Sequence, residues 1–351
     1  MAIDDEGDPQ ERSEPLARNI SRGTGGLRGG AVGGVSAWSG LVADIGGTNA
    51  RIALVGADGG LARPGRYLCA DFPNLAAALR RYAEDQGLDA LPSRAAVCAA
   101  GPVEDGRVRM TNHAWEIDAA ATADDLGMDR LGLINDFTAQ ALALPALGPG
   151  DLFPIAPGRA MPGAATAVMG PGTGLGVAGL MPGAGIGDVV TSEGGHMTAA
   201  PRDADEARVV AALEGRFGHV SYERLVSGPG LENIHGVLAG DGGTLSAAEI
   251  SRRALAGSDD ACVRALDLFF SFLGSAAADV VLTLGARGGL YLAGGILPGM
   301  TGALAASGFH ARFCDKGRFA DYLGAVPVQV VVHPAPAQLG LMRLLTGAGD
   351  D

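Results

Sequence analysis

Lysine is almost absent: one residue, Lys316, in a chain of 351. A phosphate loop ending in Gly-Lys-Ser/Thr is excluded, because Lys316 is followed by Gly317 and Arg318. The Val-Ala-Ile-Lys of protein kinases is missing too. A Schiff-base enzyme would have to use Lys316 itself, in a polar stretch that reads as loop. Paired cysteines are also lacking. Cys69, Cys98, Cys262 and Cys314 form no Cys-x-x-Cys, which excludes a disulfide scaffold or zinc knuckle and fits reduced thiols in a cytosolic protein. Positive charge is scarce: 26 Lys plus Arg against 39 Asp plus Glu leave a net charge of −13. A nucleic-acid partner, which needs a basic stripe to displace counterions, is therefore not expected. The N-terminus is acidic (Asp4, Asp5, Glu6, Asp8), the reverse of a secretory signal, so no export is expected and a cytoplasmic location is. The uncharged stretch 160–187 holds nine glycines and three prolines. It reads as strands joined by tight turns rather than a membrane span, and no membrane association is expected.

Glycine is abundant instead, 57 residues, about twice the usual share. The glycines cluster in discrete loops, where a backbone must approach a neighbour or ligand closely. With 47 % hydrophobic residues the chain can bury a sizeable core, and its length suggests two domains and an appendage. Residues 1–38 show no sustained period and read as a disordered tail. Leu41–Ile45 and Arg51–Val55 read as a hairpin around Gly46-Gly47. Residues 75–82 have helical spacing, with Asp71 or Asn74 as candidate cap. Strands are expected at 94–99, 131–134, 166–169, 177–180, 289–293 and 327–332. Helices are expected from 136 to 143 and at 203–214, 230–238, 246–255, 260–284 and 338–345. The alternation favours α/β architecture with a mainly parallel sheet, and both halves repeat strand, glycine turn, strand.

Three segments carry candidate chemistry. In Asp44-Ile45-Gly46-Gly47-Thr48-Asn49 a carboxylate precedes two glycines and a hydroxyl. The backbone N–H groups could face phosphate oxygens and Asp44 could hold Mg²⁺ through water; a plain hairpin turn fits equally well. In Gly170-Pro171-Gly172-Thr173-Gly174-Leu175-Gly176 every second residue is glycine. Core packing is not expected to explain that, since glycine buries no side chain, and a strand rather than a helix follows, unlike a dinucleotide fold. Asn135-Asp136 sits just past a strand, where Asp136 could act as general base or cap the following helix.

Those two glycine loops resemble the phosphate motifs of the sugar kinase, actin and Hsp70 superfamily. Thr111–Trp115, Ile134–Ala139, Ser192–His196, Tyr222–Gly230 and Leu292–Ile296 sharpen the likeness. Together, in order from about residue 41 to 345, they resemble the bacterial ATP-dependent glucokinase family. The resemblance implies two ribonuclease-H-like α/β domains flanking a cleft, with 39–146 plus 333–351 as the smaller and 147–332 as the larger. It implies ATP and Mg²⁺ as cofactors, glucose as substrate and a homodimer. It assigns Asp136 as catalytic base, and Asn135, Asp136, Glu193, His196, Glu223 and Asn112 to the sugar. It assigns Asp44, Ile45, Gly46, Gly47, Thr48, Gly172, Thr173, Gly174, Gly294 and Gly295 to ATP, with Asp44 near the metal. On residue chemistry alone, His196 could be a buried structural histidine, Glu223 a surface charge beside Arg224, and Asn112 a turn residue. Trp115 and the other histidines read as structural. The related ROK family carries a cysteine-rich zinc motif that this chain lacks. Another hexose, another donor (polyphosphate or ADP), a silent sugar sensor or a nucleotide-switched protein of the actin or chaperone type are the competing readings.

Overall fold

The protein is described from a computed structural model, which covers residues 38–111, 113–183, 185–240 and 245–346. Almost all of the expected tail and the expected sugar residue Asn112 lie outside those residues.

The first half begins with β1 (Trp38–Ile45), β2 (Asn49–Gly56) and β3 (Leu61–Leu68), a meander of short turns. Next come α1 (Leu75–Gln86), β4 (Arg94–Ala99), the short ribbon β5 (Val103–Glu104), β6 (Arg107–Arg109) and β7 (Glu116–Asp118), α2 (Ala119–Leu126), β8 (Arg130–Asn135) and α3 (Asp136–Ala143). The strands order as β3-β2-β1-β4-β8, with β1 antiparallel to β2 and parallel to β4. Asn74 caps α1 by accepting from the Ala77 N–H at 2.9 Å, and Gly87 ends it in the left-handed conformation.

The second half contains β9 (Leu152–Ala156), β10 (Thr166–Pro171), β11 (Leu175–Leu180) and β12 (Val189–Ser192), then α4 (Ala204–Phe217), α5 (Gly228–Ala239), α6 (Ala247–Ala256) and α7 (Asp260–Leu284). β13 (Gly289–Leu292) follows, then the short helices α8 (Thr301–Ala306), α9 (Phe309–Cys314) and α10 (Ala320–Gly324), β14 (Val328–Val331) and finally α11 (Pro336–Thr346). Its sheet runs β12-β11-β10-β13-β14-β9. The first five of these strands repeat the order of the first sheet, so the halves share one topology, with β9 added at an edge. Both sheets are mixed, which corrects the expected mainly parallel one. The glycine turns are too short for a crossover, so the strands they join must run antiparallel.

The apolar faces explain how the layers sit. α7 passes the length and hydropathy test for a membrane span, yet the apolar window is 78 % buried inside the protein, as the central helix of the second core. α11 returns to the first sheet, where Ala337, Leu341 and Leu345 pack on Val42, Val55 and Ala96. α3 faces both ways. Ala139 belongs to the cluster under α11, while Phe137 and Ala141, with Leu144 just past the helix end, pack with Val168, Ala178 and Val331 of the second sheet. Trp115 is core, as expected, and donates its indole N–H to the Phe72 carbonyl at 3.0 Å. Lys316 is paired internally with Asp279, whose other oxygen accepts from the Tyr222 hydroxyl.

Candidate active site

The β1–β2 turn is closed by the Gly46 N–H on the Asn49 carbonyl, 2.9 Å. Register places Arg51 directly opposite Asp44. Arg51 Nη1 donates to Asp44 Oδ2 at 3.0 Å, and the buried Cys98 thiol on β4 contacts Asp44 Oδ1 at 3.6 Å. Burial first, then the Asp44 and Asp136 carboxylates, push the Cys98 thiol well above its ordinary value. Ile45 does not face this space: its side chain lies in the core of the first sheet.

At the end of β8 the helix cap is Asn135 rather than Asp136. Asn135 Oδ1 accepts from the Phe137 and Thr138 N–H groups at 2.8 and 3.2 Å, and its amide donates to the Gly101 carbonyl at 3.1 Å. The amide that the resemblance gives to the sugar is thus already engaged in fixing the first turn of α3. Asp136 accepts from the Phe137 N–H at 3.0 Å. Its carboxyl is pushed up to about 7, by burial first and by the neighbouring Asp44 second, with the Phe137 hydrogen bond opposing.

Packing explains three of the four alternating glycines, against expectation. A Cβ at Gly170 would lie 2.1 Å from the Ala293 carbonyl oxygen, at Gly174 2.4 Å from the Glu223 carboxylate, and at Gly176 1.9 Å from the Phe137 ring. The glycines bury no side chain of their own; they admit a neighbour's. Only at Gly172 would a Cβ meet nothing within 4 Å. Its backbone is held from both sides, donating to the Gly174 carbonyl and accepting from the Gly228 N–H, each at 2.8 Å. Gly294 has φ +86, and a Cβ there would lie 2.5 Å from the Pro171 carbonyl oxygen, so the turn after β13 is keyed to the same loop.

Glu223 reaches this loop directly, accepting from the Leu175 N–H at 2.9 Å. Glu193 and His196 stand on the rim, 60 % and 59 % exposed, with His196 Nε2 and Glu193 Oε2 3.9 Å apart. One cleft of about 540 Å³ gathers these groups from both sheets. Of the residues expected at a site, all line it except the buried Ile45 and the undescribed Asn112. Arg51 and Gln140, to which the sequence reading assigned no role, and His333, expected to be structural, also line it. Counting outward from the β1–β2 turn would have placed Arg51 on the same face as Asp44. Nothing local marks Gln140, whose Oε1 is buried without a hydrogen-bond partner among the described residues.

The profile of the glucokinase family matches residues 41–348. A glucokinase of Cupriavidus pinatubonensis is 44 % identical over 318 residues, covering 88 % of this chain and 93 % of its own. The chain belongs to the glucokinase family. It is accordingly an ATP-dependent hexose kinase of the glucokinase kind. The crystal structure of a glucokinase from an Antarctic psychrotroph superposes with a TM-score of 0.75 at 36 % identity, covering 88 % of this chain and 98 % of that one. A Balamuthia mandrillaris glucokinase in complex with glucose superposes with a TM-score of 0.68 over 87 % of this chain and 92 % of that one; at 20 % identity it speaks for the fold alone.

Proposed function

We propose that the cleft transfers the γ-phosphoryl group of ATP to the 6-hydroxyl of glucose. In this reading Asp136 takes the hydroxyl proton while the backbones of 46–48 and 172–174 cradle the phosphates. The observation that carries it is the raised Asp136 carboxyl facing one cleft with both glycine loops. A base that titrates near neutrality has both the vacancy to accept a proton and the strength to draw one. Little covalent chemistry is asked of the chain in phosphoryl transfer, so positioning and charge neutralisation dominate.

Asp44 suits Mg²⁺ by chemistry, a hard carboxylate at the mouth of the phosphate turn, and would hold it through water. Bound there with ATP, the ion would neutralise phosphate charge. Arg51, paired with Asp44 in this structure, supplies a second positive group at the same wall. On the sugar side, Glu193, His196 and the Glu223 oxygen not bonded to Leu175 would receive adjacent hydroxyls. The assignment is tested by coupled turnover on a panel of hexoses with ATP, ADP and polyphosphate. Glucose with ATP should give the highest kcat/KM, and preference for another pair would replace this reading.

Gly172 separates ligand space from packing space. Gly172→Ala is expected to leave the thermal midpoint unchanged, since nothing stands where its Cβ would go. It should lower kcat/KM for ATP by about 10-fold or more, because the methyl group would occupy the phosphate position. A midpoint loss would show that the loop is packed there after all.

The two walls come from the two proposed domains, 39–146 plus 333–351 and 147–332. A sugar touching both favours the closed arrangement and excludes water that could otherwise accept the phosphoryl group. Saturating glucose is expected to reduce the radius of gyration in solution scattering and to raise the thermal midpoint more than ATP does. Both effects should be much weaker in Glu193→Ala. An unchanged radius with glucose demonstrably bound would remove closure from the mechanism. The same scattering data give the mass, which should be that of a cytoplasmic homodimer.

A further inference from the structure

Outside the cleft, α5 and the α6–α7 junction bring together three groups that the kinase reading does not use. His235 lies on the buried face of α5 with Leu231 and Ile234, 4 % exposed. Cys262, fully buried, stands in the first turn of α7, and Asp259 caps that helix by accepting from the Ala261 and Cys262 N–H groups through Oδ1. One imidazole nitrogen, one Asp259 oxygen and the Cys262 sulfur all lie within 4.8 Å of one another.

Two features go beyond a capped helix. The His235 imidazole makes no hydrogen bond among the described residues, so the ring nitrogen nearest Asp259 and Cys262 is open to a ligand. The Asp259 oxygen left over from capping is only loosely held: Arg253 Nη1 is 3.4 Å away, while Arg253 Nε has its own partner in Glu249 at 2.7 Å. Turning Asp259 Oδ2 toward a cation would therefore strand no charge.

The geometry points to a zinc site at this junction, with His235, Asp259 and Cys262 as protein ligands and a water as the fourth. Nitrogen, oxygen and sulfur in one small set suit Zn²⁺, whereas Mg²⁺ and Ca²⁺ take oxygen alone. Bonds of about 2.0–2.3 Å in a tetrahedron require the three ligand atoms to draw about 1 Å closer than the present limit of their separations. Rotation of Asp259 and Cys262 about χ1 supplies movement of that order. As the zinc–sulfur bond forms, the thiol proton leaves to solvent, and the imidazole binds in its neutral form. The ion would tie α5 to the first turn of α7 and so brace the helical side of the second core.

The test uses the full-length chain stripped of metal. Zn²⁺ titrated calorimetrically should bind one-to-one with a Kd of about 1 µM or tighter, releasing about one proton per ion. Co²⁺ in its place should give the near-ultraviolet thiolate-to-cobalt absorption and tetrahedral visible bands. Cys262→Ser should abolish the near-ultraviolet band, and Cys262→Ser and His235→Asn should each weaken Zn²⁺ binding by about 10-fold or more. Glucose phosphorylation by the variants should stay within about 2-fold of the parent, since none of these residues lines the cleft. Absence of the thiolate band in the parent protein overturns the proposal without recourse to any variant. So does Zn²⁺ affinity that the two substitutions leave unchanged.

Discussion

Asp136→Asn is expected to cut kcat by about 10²-fold or more and, at pH 8, to raise the thermal midpoint. The two effects share one cause. Burial and the Asp44 carboxylate hold the Asp136 carboxyl at about 7, against an ordinary value of 3.8. Because the folded state binds this proton more tightly than the unfolded state, the stabilisation it gives is complete below about pH 4. That contribution is lost as pH rises toward 7. Above that, the folded protein carries a buried charge beside a like charge, and asparagine removes it. The midpoint difference between variant and parent should therefore vanish near pH 4 and be largest above pH 7. The parent's kcat/KM for glucose should fall about tenfold per pH unit below the same point, as the base becomes protonated. A folded Asp136→Asn enzyme with near-normal kcat would sink the base assignment. A variant less stable than the parent at pH 8 would contradict the electrostatic account.

Gly340→Ala is expected to be the most damaging single methyl group on the first sheet's side. Gly340 is buried on α11, and a Cβ there would stand 1.8 Å from the Ala139 carbonyl oxygen and 3.1 Å from the Ala143 nitrogen. The obstacle is the backbone of α3, which cannot turn aside as a side-chain tip can. The helices must separate, at the upper end of the roughly 1–3 kcal/mol typical of overpacking. Since α3 carries Asp136 at its first position, kcat should fall together with the midpoint. Gly215→Ala on α4 is the matched control. Nothing lies within 4 Å of its Cβ, and relief of glycine's backbone entropy should stabilise by about 0.5–1 kcal/mol. Chemical denaturation of both variants measures the contrast; equal effects would show that α3 and α11 are not in close contact.

Segments whose structure is fixed by their own residues were legible in the sequence. The β1–β2 hairpin, the Asn74 cap and α7 all announce themselves through period, cap or turn chemistry. β3 did not, because it is an edge strand carrying Arg63, Pro64, Gly65 and Arg66. Pro64 is tolerated at an edge, and Arg63 takes φ 50 where the β2–β3 register shifts. The β5–β7 ribbon was missed for a similar reason, as its strands of two or three residues are too short to show a period. At the site, the residue types were legible but their partners were not. That Asn135 rather than Asp136 caps α3 is decided within one turn, between two adjacent residues that both make good caps, whereas the grip of Glu223 on Leu175 and the filling of the space at Gly176 by Phe137 are contacts between distant segments. No local pattern encodes them.

The glycine loop after β10 fits its surroundings as a key fits a lock with three separate wards: the Ala293 turn, Glu223 and the Phe137 ring. For an engineer wishing to change the phosphoryl donor, the loop is therefore a poor place to diversify residue by residue. Side chains introduced at Gly170 or Gly176 would strike the Ala293 backbone or the Phe137 ring, and one at Gly174 would have to displace the Glu223 carboxylate from the Leu175 N–H. Among the four glycines, unhindered variation is confined to Gly172; elsewhere a ward and its notch must move together, Phe137 with Gly176 or Glu223 with Gly174. Drift in related chains meets the same restriction, so the alternating glycines can persist for reasons of fit even where the ligand has changed.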